Sequence, residues 1–171
     1  MALLDAPDLF GRTIFCDDIR TEADGKISYI GSYGGYMFVH GPFPFTLPKF
    51  GLGIVFAQRK SLFVPNVGLR VFLPGDTEDA PSLVADLQEV AEGATAIAAS
   101  AASPLPASDQ SYVHLMANII LAPLVLKEPG PMKVRAVRGE DMIRLGTLTI
   151  LPSQQQSAVA VPAEENQSSA A

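Results

Sequence analysis

The feature that most constrains this chain is a two-residue alternation of bulky and small or polar side chains, which recurs between turn signals along most of its length. Leu52, Ile54 and Phe56 alternate with Gly51, Gly53, Val55 and Ala57, so one face of that run is bulky and the other small. Val67, Leu69, Val71 and Leu73 alternate with Gly68, Arg70 and Phe72, and the run stops at Pro74-Gly75. Val113, Leu115, Ala117, Ile119 and Leu121 form one face of a third run, opposite Tyr112, His114, Met116 and Asn118. A period of two places successive side chains on opposite sides of a strand, and a helix cannot satisfy it.

The remaining chain follows the same rule. A first strand is predicted over about 12–20, with Ile14 and Cys16 on one face, toward the core, and Phe15, Asp17 and Ile19 on the other. Asp24-Gly25 then turns the chain into a second strand over about 26–30, because glycine accepts the positive φ of a tight hairpin. Tyr36 to His40 is a third short strand, and the prolines at 42 and 44 require a loop after it. Met132, Val134 and Ala136 alternate with Lys133, Arg135 and Val137. After Arg138-Gly139-Glu140-Asp141 the chain returns through Ile143, Leu145, Leu148 and Ile150. The apolar parity there switches from odd to even across Gly146, which predicts one extra residue at a β-bulge. Residues 82–90 carry both a helical spacing and a strand pattern, and are assigned to a strand.

Eight or so short strands, turn signals every 8–12 residues, no regular helix and no repeat together predict an all-β fold. The specific expectation is an antiparallel β-sandwich of immunoglobulin-like or C2-like kind, with about 7–8 strands. At 171 residues the chain is one domain by length. It divides into a lead-in over 1–10, where Pro7 and nearby acids oppose a strand, and a β-domain over 11–151. Within that domain 91–110 is an Ala/Ser/Pro loop, and 152–171 is expected to be a disordered tail because neither segment offers a periodic apolar face.

Several function classes are disfavoured by the totals. The net charge is −6, and the 12 basic residues are scattered without a basic run, which argues against nucleic acid as a partner. A single cysteine leaves no internal disulfide. The first residues have neither the basic nor the apolar region of a signal peptide, and no apolar run approaches a membrane-spanning length. The expected location is the cytoplasm, or a particle assembled there, with no membrane partner.

The stretch Phe15-Cys16-Asp17-Asp18-Ile19-Arg20, followed by Gly25-Lys26 and Ile30-Gly31, resembles the opening of an uncharacterised family of small bacterial and phage-associated β-sandwich proteins. Leu47-Pro48-Lys49, Leu69-Arg70-Val71, Glu128-Pro129-Gly130, Val134-Arg135 and Leu145-Gly146 also look like it. The resemblance covers about residues 12–151. It implies a compact sandwich and carries no catalytic residues.

The same stretch holds the densest polar cluster. Cys16 as a nucleophile would need His40 or His114 as its base, and nothing in the spacing requires either to approach it. On its strand face Cys16 reads as a small core side chain. Asp17, Asp18, Glu22 and Asp24 are the alternative calcium ligands, but the calcium-loop pattern is absent and Arg20 and Lys26 are interleaved, which suits ion pairs at a hairpin. Gly31-Ser32-Tyr33-Gly34-Gly35 lacks the Lys-Ser/Thr and helix of a phosphate cradle. The aromatic cluster of Tyr29, Tyr33, Tyr36, Phe38, Phe43, Phe45 and Phe50 is assigned mainly to the core. Tyr33, Tyr36, Phe43 and Phe45 are kept as interaction candidates. No catalytic residue, metal or cofactor is assigned. The predicted function is a non-enzymatic structural or protein-interaction module, in a phage particle or as a bacterial accessory protein, acting with a protein partner or as a homo-oligomer. A ligand- or calcium-binding β-sandwich using the acidic hairpin is the alternative.

Overall fold

A computed structural model describes residues 7–64, 66–86 and 112–153. The chain is all-β. The described residues form twelve strands: β1 (Leu9–Cys16), β2 (Asp18–Thr21), β3 (Ile27–Ile30), β4 (Tyr36–Val39), β5 (Phe45–Leu47), β6 (Phe50–Arg59), β7 (Gly68–Phe72), β8 (Leu83–Asp86), β9 (Tyr112–Leu121), β10 (Leu124–Leu126), β11 (Gly130–Arg138) and β12 (Asp141–Pro152). That exceeds the seven or eight expected, because the run over 12–20 divides into β1 and β2, and β5 and β10 form a short ribbon of their own. The predicted loop 91–110 and nearly all of the predicted tail lie outside the described residues. Among the described residues no helix is long and apolar enough to cross a membrane.

Two sheets supply most of the core. One has the order β1-β6-β9 and is antiparallel throughout. The other has the order β4-β12-β11-β7-β8, antiparallel except for the parallel pair β12–β4. Their inward side chains meet in one cluster. Leu52, Ile54 and Phe56 enter from β6 and Leu115 from β9, against Val134 of β11 and Leu148 of β12. Burying each of the larger apolar side chains contributes roughly 1.5–3 kcal/mol, so the alternating faces that were visible in the sequence are what hold the two sheets together.

Three local features differ from or sharpen the sequence expectations. First, β1 begins at Leu9, inside the stretch assigned to a lead-in. The acid that argued against a strand there is anchored. Asp8 accepts the Arg59 backbone N–H at 2.8 Å and an ion pair from its side chain. Second, the single strand expected over 12–20 is broken at Asp17, whose N–H turns away to donate to the Ile30 carbonyl at 3.0 Å. The chain then leaves β6 and forms the hairpin β2–β3. That hairpin closes at Gly25, with φ +81°. Third, β12 carries a bulge. Val134 pairs with Gly146 and Arg135 with Arg144, so Leu145 is the extra residue. Both Leu145 and Gly146 face inward, which is the parity switch seen in the sequence. Of residues 82–90, those described form β8 over Leu83–Asp86, and 87–90 lie outside the described residues.

Candidate functional site

The small face of β6 carries a second layer, and the polar cluster of the sequence lies in it. Cys16 pairs with Gly51, and Ile14 with Gly53, on the face of the three-stranded sheet turned away from the main core. The hairpin β2–β3 lies over this face. A Cβ at Gly51 would meet Ile19 at 2.7 Å and the Cys16 sulfur at 2.8 Å, and one at Gly53 would meet the Tyr29 ring at 2.2 Å. Only glycine leaves room for the hairpin at that height. The Tyr29 hydroxyl crosses the sheet and donates to Asn118 Oδ1 at 2.9 Å, tying the hairpin to β9.

Cys16 is therefore buried, as the sequence suggested, but on the opposite face from the one assigned. Phe15 takes the place in the main core. The error came from treating one covered face as the only one. Burial pushes the Cys16 thiol up, and the negative charge of Asp17 adds to that. Its sulfur donates weakly to the Gly51 carbonyl at 3.6 Å. His114 pairs with Ala57, six residues along β6 from Gly51, a separation of ~20 Å at the strand rise. His40 follows β4 in the other sheet. Neither histidine adjoins the thiol.

Asp17, Asp18 and Asp24 are engaged separately. The Tyr33 hydroxyl donates to Asp17 Oδ1 at 2.5 Å. Asp18 takes Arg20 at 3.1 Å and an ion pair from Lys49, and these two cations hold its carboxyl below the usual range. Asp24 pairs with Lys26, which lowers its carboxyl likewise. Glu22 is exposed at the hairpin turn. Among the described residues no three His, Cys, Asp or Glu side chains gather in a metal-holding group.

The interaction candidates divide. Tyr33 stacks on Phe50 with ring centroids 5.8 Å apart, and Tyr33, Phe43 and Phe45 are half-buried against the core. Burial and the Asp17 hydrogen bond push the Tyr33 phenol up to about 12. Tyr36 is different. It is 62% exposed, and Phe38 beside it is 59% exposed, because Met37 and Val39 take the inward positions of β4. The two rings stand on the outer face of the five-stranded sheet, at its edge, opposite Thr149 and Leu151 of β12.

That outer face holds a feature the sequence did not reveal. Arg135 of β11 pairs with Arg70 of β7 on one side and with Arg144 of β12 on the other. One row along, Lys133 pairs with Phe72 and Thr147. The loop from β7 to β8 folds toward this end, held by Asp76 Oδ2, which accepts the N–H groups of Leu73 and Ser82, each at 2.8 Å. From that loop Glu78 reaches Lys133 at 3.2 Å.

An apolar groove of about 390 Å³ opens between Val71, Leu73 and Leu83 on one side and Leu121, Pro123 and Leu124 on the other. Among the described residues it is lined by no titratable side chain. Comparison with family models, curated proteins and solved structures finds no match to this chain.

Proposed function

We propose that the chain is a non-enzymatic structural or protein-interaction module, with the architecture of an immunoglobulin-like or C2-like β-sandwich, and that it assembles with a second copy of itself through the edge of β4. The observation that carries this is the pair Tyr36 and Phe38, more than half exposed on a sheet edge. An edge strand presents unpaired backbone groups, and proteins usually guard it with charge, proline or a bulge. The sequence Tyr36-Met37-Phe38-Val39 has none of these, and only its length of four residues limits it. A strand without charge meets its own copy about a two-fold axis without like-charge repulsion, and the two aromatic pairs would cover one another. The buried, unactivated Cys16, remote from His114, supports the non-enzymatic half of the reading. A phage particle component or a bacterial accessory protein would both fit such a role.

Size-exclusion chromatography with light scattering tests the proposal. The 18.1 kDa chain is expected to show twice its mass, and Phe38→Lys to return it to the monomer while leaving its circular dichroism unchanged. A wild-type protein of monomer mass at every concentration would refute assembly through β4.

A further inference from the structure

The arginine row stands apart from the β4 edge and is carried by different observations. Arg70, Arg135 and Arg144 lie on three adjacent strands and face outward, because Leu69, Val71, Val134, Ala136 and Leu145 take the inward positions. Side chains directly opposite in antiparallel pairs have Cβ atoms ~5 Å apart, and like charges there destabilise the sheet. Arg135 has a like charge on both sides. It is also only 8% exposed, and among the described residues one of its five N–H donors has a partner, Nη1 donating to the carbonyl of its own neighbour Val134 at 3.2 Å. Burial and Arg144 lower the affinity of its guanidinium for its proton, and Glu78 opposes this only in part. The ion pairs among the described residues engage Arg20, Lys26, Lys49, Arg59, Lys133 and Arg138, and none of the three. Glu78 is taken by Lys133, and Asp86, one row along on β8, is already engaged.

A cation only 8% exposed between two like charges is a costly arrangement for a sheet face. We propose that Arg70, Arg135 and Arg144 form a binding site for a tetrahedral oxyanion of the phosphate or sulfate class. Planar guanidinium forks pair bidentately with such oxygens, and three forks set one strand apart, ~4.8 Å, can converge on one group. A carboxylate, with two oxygens and one charge, saturates on a single arginine and leaves the other two facing each other. Nucleic acid fits less well, because the row is only ~10 Å long at that strand spacing, and the chain as a whole is acidic, with net charge −6.

The test is isothermal titration of the full chain at constant ionic strength with inorganic phosphate, sulfate, acetate and a single-stranded oligonucleotide. Saturable binding of phosphate or sulfate is expected, and whichever binds more tightly identifies the ligand class. Arg70→Gln and Arg144→Gln should each weaken it about tenfold or more, the value of a charge-assisted hydrogen bond. Both sites are at least partly exposed, so both variants should fold. A second readout separates a binding role from a structural one. Without anion, Arg144→Gln should melt at or above the wild-type temperature, since a repulsion is relieved, and phosphate or sulfate should raise its melting point less than that of the wild type. The proposal is overturned by absence of saturable binding, by acetate binding as tightly, by binding of the oligonucleotide alone, or by unchanged affinity in both variants. It is also overturned if Arg144→Gln melts below the wild type without anion. None of these results depends on whether the β4 edge self-associates.

Discussion

The seating of the hairpin β2–β3 on two glycines makes Gly53→Ala the most informative single change. The new Cβ would lie 2.2 Å from one Tyr29 ring carbon and 2.7 Å from another. Ordinary contact begins near 3.4 Å, so the ring must withdraw by more than an ångström. Tyr29 is half-buried and can pivot, but pivoting breaks its 2.9 Å hydrogen bond to Asn118. Overpacking of this kind costs ~1–3 kcal/mol, and the lost hydrogen bond adds ~0.5–1.5 kcal/mol. The expected destabilisation is about 2–4 kcal/mol, a fall in Tm of about 4–16 °C for a chain of this size. Denaturant unfolding should give the same figure. The control is Gly34→Ala, where an added Cβ meets nothing within 4 Å, and a change within ~0.5 kcal/mol is expected. The decisive measurement is the cycle with Tyr29→Ser, which removes the ring. If the clash is the cause, Gly53→Ala should cost much less in the Tyr29→Ser background, with a coupling of ~1–3 kcal/mol. Additive effects, or a neutral Gly53→Ala, would refute the claim that glycine is there to admit the hairpin.

Three further outcomes follow from the same geometry. The Tyr33 phenol has its folded-state pKa raised to about 12, above the ordinary value near 10. Its contribution to stability is therefore complete below pH ~10 and is lost as pH rises toward 12. Tyr33→Phe should flatten that alkaline decline, and in ultraviolet titration the variant should lose a tyrosine that ionises toward pH 12. The Cys16 thiol should react slowly with a thiol reagent at neutral pH and at the rate of a free thiol in denaturant, since burial raises it; rapid labelling of the native chain would contradict its place under the hairpin. Gln58 is fully buried and clamps Val64 through both its amide groups, at 2.9 and 3.2 Å. Gln58→Leu should cost about 1–3 kcal/mol by chemical denaturation.

The main core was legible where a strand has one covered face and shows it as strict alternation, as in β9, and in β6 because its second covered face holds glycine and alanine and so still alternates bulky with small. Legibility failed where two covered faces lack that contrast. In β1, Phe15 and Cys16 are both buried, one against the core and one beneath the hairpin, so parity alone could not say which face was inward. Gly51 and Gly53 mark the small face of β6 in the sequence, but the element that packs there, carrying Ile19 and Tyr29, lies more than twenty residues earlier in the chain. The start of β1 was missed because its anchor, Arg59, is remote in sequence. The aromatic cluster divided for a local reason: β4 turns Met37 and Val39 inward and so exposes Tyr36 and Phe38. The arginine row was invisible for a different reason. Arg70 and Arg135 become neighbours only through the β7–β11 register, and Arg144 joins them only because the bulge at Leu145 keeps it outward. In a ladder without the bulge Arg144 would fall opposite Ala136 and face the core.

The parallel pairing of β4 with β12 also has a kinetic consequence. β11 and β12 are joined by a two-residue turn and can pair as soon as both are made. β4 meets β12 through partners such as Tyr36 and Thr149, more than a hundred residues apart in sequence. Closing so long a loop for a four-residue strand yields few hydrogen bonds for the entropy lost, and contacts of that separation slow folding. The β4 edge is thus the piece of the five-stranded sheet expected to dock late and to open first. Amide exchange at Met37 and Val39 should outpace that at Met132 and Val134, although all four side chains are buried.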